Sequence, residues 1–406
     1  MTEAQSETGG RVTISRRGAD RLRAGHVWVY RSDVIEAKDV PPGAMVLVQE
    51  LSDKNVRPTR ARPPRVLGSA LYSSASEIAV RMISPKPVDD LAQLVRERIR
   101  TAIAYRERFV QDTNAYRVIF SEGDFLPGLI VDRYNDLLSV QVLTQAMDSE
   151  ALRNFFVSEL RELLQPDSIA ERVDPRVRKL EQLPEKQSGL IFGTNTSTEF
   201  QMNGIHFLYD AIEGQKTGAF LDQRENYAAA AHYARGEALD VFCYQGGFAL
   251  HLSRNGSKVT GVDSSRPALE IAEKNAGLNG REVEWIEANA FDLLRDYSDA
   301  GRQYDCIVLD PPAFAKSKQN LPTALRGYKE LNLRALKMLR PGGILVTCSC
   351  SYHVSANDLL DAVSAAAVDS HRILRVLENR GQAKDHPTVL SIPETVYLKC
   401  LIAVVS

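Results

Sequence analysis

The sequence predicts an α/β protein: a doubly wound, Rossmann-like sheet preceded by a small β-barrel and a small central α/β segment. Three observations carry this. Residues 238–265 read strand, glycine turn, helix, strand, acid: an apolar run at 239–243 breaks at Gln245-Gly246-Gly247, an amphipathic helix starts near Phe248, and a strand at 258–262 stops on Asp263. From residue 267 onward helix and strand patterns alternate. Residues 11–84 instead carry short alternating runs between Gly, Pro and Ser clusters, the pattern of a mostly β unit.

In chain order, 12–15, 44–49, 67–72 and 78–83 read as barrel strands and 19–24 as a short helix. Trp28 reads as core, with a base-stacking platform beside Arg21, Arg23 and Arg31 as the second option. The basic, Pro-rich stretch 52–65 reads as a loop that could touch phosphates. A charged helix at 88–112 carries Leu91, Leu94, Val95, Ile99 and Ile103 on one face. Strands at 116–121, 129–134 and 137–143, with Asn135-Asp136 as a hairpin turn, a helix at 149–164 and a strand at 168–171 follow. Residues 176–188 read as polar loop and 198–209 as one strand. Residues 215–224 read either as a lid at the mouth of the sheet or as a helix cap with Asp222 at the N-cap, opening a helix at 223–234. After Asp263 come a helix at 267–279, a strand at 283–287 ending in Asn289-Ala290-Phe291, and a strand at 306–309 ending in Asp310-Pro311-Pro312-Ala313-Phe314. A helix at 323–339 leads to Pro341-Gly342-Gly343, which turns the chain into a strand at 344–347 ending in Cys348-Ser349-Cys350-Ser351. A helix at 357–367 and strands near 373–377 and 396–405 close the chain, the last pair as a hairpin whose final strand runs antiparallel to the sheet. The expected domains are 1–85, 86–190 and 191–406.

Composition narrows the function. In 406 residues, 44% hydrophobic and 25% charged content are those of an ordinary soluble globular protein. No apolar run reaches a membrane span and the first ten residues are polar, so a cytoplasmic protein without a membrane partner is expected. Five cysteines, an odd number without zinc spacing, suit a reducing compartment and argue against a metal site. Net charge is −2, yet residues 1–110 hold 19 Lys+Arg against 13 Asp+Glu and the rest 31 against 39. A basic N-terminal third on an acidic body points to a polyanion met at one end.

In such sheets ligands bind outside the carboxyl ends of the strands, where Gly246, Asp263, Asn289, Asp310 and Cys350 fall, one per strand. Phe242 and Tyr244 replace the first glycines of a dinucleotide fingerprint, which disfavours a pyrophosphate; S-adenosylmethionine has none. Asp263 can accept from both ribose hydroxyls, and the glycines let backbone approach a ligand. Asp310 can bond a flat base that Phe314 stacks on, within a loop stiffened by Pro311 and Pro312. Of the two cysteines, Cys350 reads as a nucleophile and Cys348 as a small buried residue, although sequence leaves open which is exposed. A thiolate adding to carbon 6 of a pyrimidine makes carbon 5 nucleophilic enough to take a methyl group.

These pieces resemble the bacterial large-subunit ribosomal RNA methyltransferase I family over nearly the whole chain. The matching residues are Phe125-Leu126-Pro127-Gly128-Leu129 with Asp132-Arg133-Tyr134, Lys216-Thr217-Gly218 with Leu221-Asp222-Gln223-Arg224, and Phe242-x-Tyr244-x-Gly246-Gly247-Phe248. Leu309-Asp310-Pro311-Pro312-x-Phe314, Arg326-Gly327-Tyr328-Lys329, Ser349-Cys350-Ser351, Asp385-His386-Pro387 and Tyr397-Leu398-Lys399 complete the set. The resemblance implies a PUA barrel, a central α/β domain and a class I methyltransferase domain that makes 5-methylcytosine in 23S ribosomal RNA from S-adenosylmethionine. It implies cofactor contacts at Phe220, Gln223, Arg224, Phe242, Tyr244, Gly246, Gly247, Asp263, Ser264, Asn289, Ala290 and Asp310. It further implies substrate contacts at Pro311, Pro312, Phe314 and Lys329, and catalysis by Cys350 with Asp310. A homodimer is compatible with the sequence and not specified by it. Three departures stand out: Asn289 where the family often has Asp, whose amide oxygen could accept from the adenine amino group; a longer basic loop at 52–65; and Tyr352 where glycine is common, which could alter access to Cys350. The alternatives are an enzyme of this fold methylating a guanine nitrogen, with Cys350 idle, and a non-catalytic ribosome-assembly factor.

Overall fold

The structure is a computed structural model that describes residues 10–51, 65–212, 219–315 and 317–406. Most of the basic loop at 52–65 and the Lys216-Thr217-Gly218 part of the expected lid lie outside the described residues.

The N-terminal strands are Arg11–Ile14 (β1), Trp28–Tyr30 (β2), Val34–Glu36 (β3), Met45–Glu50 (β4), Val66–Tyr72 (β5) and Ile78–Ser84 (β6). They form one barrel-like sheet in the order β2-β6-β5-β4-β1-β3, with β1 and β4 parallel and the other pairs antiparallel. Val12, Ile14, Val29, Val46 and Val48 fill its inside, one face of each alternating strand. The short helix Arg16–Arg23 (α1) starts three residues before the expected site because the Ser15 hydroxyl caps it, accepting from Gly18 N–H. Trp28 is neither free platform nor full core. It is half-buried, and its Nε1 donates to Glu122 Oε1 at 3.0 Å, joining this sheet to the next unit.

The helix Leu91–Phe109 (α2) leads to a second sheet: Ala115–Phe120 (β7), Leu129–Tyr134 (β8), Leu137–Val142 (β9), the helix Glu150–Leu164 (α3), Ser168–Glu171 (β10), the helix Pro175–Leu180 (α4) and Gly189–Phe192 (β11). Strand order is β11-β10-β9-β8-β7. Helix α4 corrects the loop expected at 176–188. Asp174 accepts from the N–H groups of Arg176 and Val177 and Pro175 opens the helix, but its polarity hid it: Arg178 is buried, bonded to Asp148 and Pro184 O. The strand expected at 198–209 is a hairpin, Ser197–Met202 (β12) and Ile205–Asp210 (β13), turning on Asn203-Gly204 with φ +50° and +76°. Asn-Gly is the pair a two-residue turn demands.

The last unit runs Arg224–Tyr233 (α5), Glu237–Val241 (β14), Gly247–Leu252 (α6), Lys258–Asp263 (β15), Arg266–Leu278 (α7), Val283–Glu287 (β16), Ala290–Asp299 (α8), Tyr304–Leu309 (β17), Leu321–Met338 (α9), Leu339–Ser349 (β18), Ala356–Asp369 (α10), Leu374–Arg380 (β19) and Lys399–Val405 (β20). The sheet order is β16-β15-β14-β17-β18-β20-β19. Strands β14 to β18 are parallel and β20 is antiparallel to both neighbours, as expected. Helices cover both faces, so β14 and β17 are mostly apolar and buried, with Asp240 the one carboxyl enclosed in β14. Pro341-Gly342-Gly343 does not turn the chain into a new strand. It bulges within β18, whose pairing jumps from Tyr304↔Leu339 to Cys306↔Ile344. Nor is Asp222 a helix cap: Gln223 holds that position, and Asp222 accepts instead from Tyr397 Oη at 2.7 Å.

A buried ionic junction ties the second and third units together. Asp385 Oδ2 accepts from the Arg117 N–H at 2.9 Å and from Arg224 Nη1 at 3.0 Å, and its carbonyl accepts from Arg106 Nη2 at 2.7 Å. Burial pushes the Asp385 carboxyl up, but the His386 ring at 3.3 Å first, then the Arg224 guanidinium and the Arg117 N–H, hold it well below the usual range.

Candidate active site

The turn after β14, 242–247, is strained. Phe242, Tyr244 and Gly246 all take left-handed φ, at +69°, +50° and +86°. Bulky aromatic residues rarely do so, at roughly 1–3 kcal/mol each. What holds them is Asp263: its Oδ2 accepts from the Tyr244 N–H at 3.0 Å, and its Oδ1 from the Ser265 N–H at 2.9 Å. The Phe242 and Cys243 N–H groups both reach the Val262 carbonyl at 2.9 Å. One carboxylate thus shapes the turn and points out of the end of β15. The fold itself requires both glycines. A Cβ on Gly246 would sit 2.9 Å from the Trp285 ring and one on Gly247 2.5 Å from the Tyr227 ring.

Phe220, Tyr227, Phe242, Tyr244, Phe248 and Asp310 line a narrow cavity of about 20 Å³. Phe220 is its outer wall, half-exposed, its ring 5.1 Å from that of Tyr244. Asp310 ends β17 and accepts from Gln223 Nε2 at 3.0 Å; Gln223 is itself fixed by Asn226 Nδ2 at 2.7 Å. The chain packed around Asp310, and then the Asp222 charge, push its carboxyl up to about 7. Pro311 is buried and Pro312 exposed. Phe314 is half-buried between Phe291 and Tyr328, at 6.0 and 5.0 Å, so much of its ring is spent on packing.

The Asp-Pro-Pro loop is laced to the end of β18. Ser351 Oγ accepts from the Ala315 N–H at 3.3 Å and lies 3.1 Å from Tyr328 Oη. Cys350 Sγ lies 3.9 Å from the Pro311 carbonyl. The two cysteines differ in burial: Cys348 is fully buried and pairs across the sheet with Cys400, whereas Cys350 is the one cysteine of five that is not buried. Burial nevertheless pushes the Cys350 thiol up to about 12, with Asp310 and Asp222 adding to it. Tyr352 is exposed, its ring edge-on to His353 at 5.3 Å.

Two expected contacts, Arg224 and Lys329, lie elsewhere, while Asn289 keeps its place at the end of β16. Arg224 is 1% exposed and belongs to the Asp385 junction, because a guanidinium buried there needs that carboxylate. Lys329 pairs with Asp369 at 2.7 Å, at the end of α10 remote from the carboxyl ends of the strands. Asn289 turns its amide oxygen to the Phe291 and Asp292 N–H groups, at 3.0 and 3.3 Å, and caps α8. Ser264 is exposed beside Asp263 and Ala290 is buried in the first turn of α8. Sequence reasoning missed Trp285, Asp222 as a charge facing Asp310, and Lys399. Lys399 Nζ donates to the Ser351 carbonyl at 2.7 Å and the Tyr397 carbonyl at 2.8 Å. Its only signal was a place in the Tyr397-Leu398-Lys399 match.

A seven-stranded sheet with one antiparallel strand, an acid at the end of β15 and a glycine turn after β14 define a class I methyltransferase. The family model for S-adenosylmethionine-dependent methyltransferases matches residues 178–394, and a PUA-like domain model matches residues 12–56. Proteins named ribosomal RNA large subunit methyltransferase I are similar along most of the chain. That of Tolumonas auensis is 40% identical over 93% of this chain and 94% of its own. That of Aeromonas hydrophila is 40% identical over 83% and 87%. The chain belongs to the ribosomal RNA large subunit methyltransferase I family. Among solved structures, one described as a methyltransferase complexed with S-adenosylhomocysteine superposes with a TM-score of 0.81 at 18% identity, covering 97% of this chain and 99% of its own. An S-adenosylmethionine-dependent methyltransferase of Streptococcus mutans gives 0.79 at the same identity and coverage. The cofactor is S-adenosylmethionine, and the donor set fits it: a fixed carboxylate for a ribose diol, and apolar and aromatic walls from Phe220, Phe242 and Tyr244.

Proposed function

We propose that this protein methylates carbon 5 of a cytosine in 23S ribosomal RNA, with Cys350 as nucleophile, and that it works in the cytoplasm. The observation that carries the reading is the position of Cys350. It is the one cysteine open to solvent, at the end of β18, and its sulfur lies against the Asp310-Pro311-Pro312 loop. An enzyme that methylates a guanine nitrogen needs no thiol there. The ribosomal RNA substrate comes from the names of the relatives, and the free state of all five cysteines suits a reducing compartment.

Cys350 as thiolate adds to carbon 6 and leaves carbon 5 electron-rich; a base later takes the carbon-5 proton and the thiolate departs. S-adenosylmethionine supplies, when bound, an electrophilic sulfonium methyl. Asp263 and the 242–247 turn hold the donor, and the proximity of Asp310 to Cys350 confines the cytosine between them. Asp310, held near 7, can present a proton to the ring nitrogen and withdraw electron density from carbon 6 as the sulfur approaches. Gln223 fixes that carboxyl.

The test is Cys350→Ala, expected to lose methylation while cofactor and RNA binding persist, with Cys348→Ala, a packing change, as control. RNA bearing 5-fluorocytosine should trap the wild-type protein covalently, since fluorine cannot leave as a proton. Full methylation by Cys350→Ala, with no trapped adduct in the wild type, would overturn the reading.

A further inference from the structure

We propose that Lys399 is the positioning residue that makes Cys350 reactive: its ammonium is the counter-charge of the Cys350 thiolate, and its hydrogen bond to the Ser351 carbonyl fixes the turn that carries the sulfur. The inference rests on Cys350 being the nucleophile and adds the one cation whose charge favours its thiolate against burial and the nearby carboxylates.

Geometry carries it. Lys399 opens β20 and pairs across the sheet with Ser349, one residue before Cys350. Its side chain runs to the residue just after the cysteine, the Ser351 carbonyl at 2.7 Å, and back to its own strand at Tyr397 O, 2.8 Å. Lys399 is 8% exposed, and among the described residues no carboxylate oxygen lies within 4.0 Å of Nζ. A buried ammonium without a carboxylate is expensive, and a fold that keeps one beside a thiol places there the charge the ionised thiol needs. Two of the three Nζ hydrogens go to carbonyls, and the third has no protein acceptor among the described residues.

The charges facing the pair come from every element packed around it. Asp310 from the end of β17 and Asp222 from the turn before α5 oppose a thiolate, and Tyr328 of α9 adds no charge near neutrality. Asp358 of α10 faces Lys399 but is engaged by Ser355 as the capping box of its helix. Lys399 is the cation set against these carboxylates. Burial lowers Lys399 to about 8, while the field of Cys350 works the other way, so ionisation of the thiol keeps the amine protonated. The step is a simple proton loss: the S–H bond breaks, its electron pair stays on sulfur, the proton passes to water through the open side of Cys350, and the ammonium is unchanged.

The experiment is native alkylation of the full-length protein with iodoacetamide across pH 6 to 10, read by mass spectrometry at Cys350; the other four cysteines are buried and serve as internal controls. Lys399→Gln keeps a donor for the Ser351 carbonyl and removes the charge. It should shift the alkylation profile to higher pH and slow the reaction near pH 7.5 by about tenfold or more. Lys399→Arg should restore most of the rate, which a purely structural role for the hydrogen bond would not require. Circular dichroism melts and cofactor affinity check the fold of both variants. If Lys399→Gln does not fold, the comparison of Lys399→Arg with wild type decides, since a cation that tunes the thiol must keep the profile. A Lys399→Gln profile equal to wild type, or a Lys399→Arg profile shifted up by a pH unit or more, overturns the proposal. The 5-fluorocytosine trap separates the two claims: no wild-type adduct defeats the nucleophile reading itself, whereas an adduct with an unmoved alkylation profile defeats only the role of Lys399.

Discussion

Asp263 does two jobs with one carboxylate. It holds the strained 242–247 turn through the Tyr244 N–H and presents its remaining lone pairs at the end of β15. Asp263→Ala should therefore weaken S-adenosylmethionine binding by more than about tenfold, since charge-assisted hydrogen bonds are worth roughly 1.5–3 kcal/mol each. Titration calorimetry checks it, and unchanged affinity would remove Asp263 from the site. Asp240 is fully buried, with one oxygen accepting from the Ala249 N–H at 2.8 Å and the other without a partner. Burial first, then Asp310 and Asp263, push its carboxyl from 3.8 up to about 8. Between those values the folded state holds a proton that the unfolded chain has lost. The contribution of Asp240 to stability is thus complete below the unfolded value and disappears as pH rises through the folded one. Asp240→Asn keeps the acceptor and carries no charge, so it should flatten this slope and exceed wild type at pH 8 by about 1 kcal/mol or more. Urea unfolding at pH 5 and pH 8 reads both, and a variant with the wild-type slope would show that Asp240 titrates normally.

At the scale of elements, the turn between β14 and α6 is where backbone conformation and packing coincide. Gly246 sits at φ +86° with the Trp285 ring 2.9 Å from where a Cβ would go. Gly246→Ala should cost about 2 kcal/mol or more, from left-handed strain and a displaced indole together. It should also weaken cofactor binding, because the same displacement moves Tyr244, whose N–H bonds Asp263. Thermal melts with and without S-adenosylmethionine separate the two effects, and a fully stable variant that binds normally would contradict this account of the glycine. Trp285→Ala in the same background removes the clash and should recover part of the loss.

The molecule as a whole is held by its junctions. The Asp385 cluster binds Arg106 of α2, Arg117 of β7 and Arg224 of α5. Asp385→Ala leaves a guanidinium that is 1% exposed without its main partner, a loss of about 3–5 kcal/mol on mutational experience with broken buried pairs. Urea denaturation should show the loss in one cooperative transition if the central and C-terminal units unfold together. The N-terminal sheet is tied in as well: Arg81 bonds Glu181 at 3.0 Å, and Ser73 Oγ donates to the same carboxylate at 2.8 Å. Much of its positive charge is spent internally, Arg17 and Arg21 on Asp33, and Arg31 on the Ser73 and Ser76 carbonyls. Removing the whole sheet would strip Glu181 of its partners, so single charges test RNA contact better. Arg11→Ala with Arg16→Ala, both exposed, should weaken RNA binding and lower the salt slope by up to about 2. An unchanged slope would move the RNA contact elsewhere.

Much of this was legible in the sequence, and the division has a physical basis. The alternation of strands and helices, the antiparallel last strand and the set of strand-end residues follow from hydrophobic period and punctuation, because a sheet covered on both faces writes itself as apolar runs ending in turns. The hairpin at Asn203-Gly204 and the helix opened by Asp174-Pro175 also carry local signals, a turn pair inside one alternating stretch and a cap pair inside a polar one. Tertiary structure alone decided which polar groups work and which are spent. Arg224 and Lys329 look available in a linear string, and each is consumed by a partner, Asp385 or Asp369, that only folding brings near. Cys348 and Cys350, two residues apart and chemically identical, differ because one strand end lies under β20 and the other opens beside Pro311. Lys399, about fifty residues beyond, meets that turn only because β20 pairs antiparallel with β18. Period and punctuation are local properties of a chain, whereas burial and partnership belong to pairs of residues distant along it, and those are fixed only when the strands have found their order.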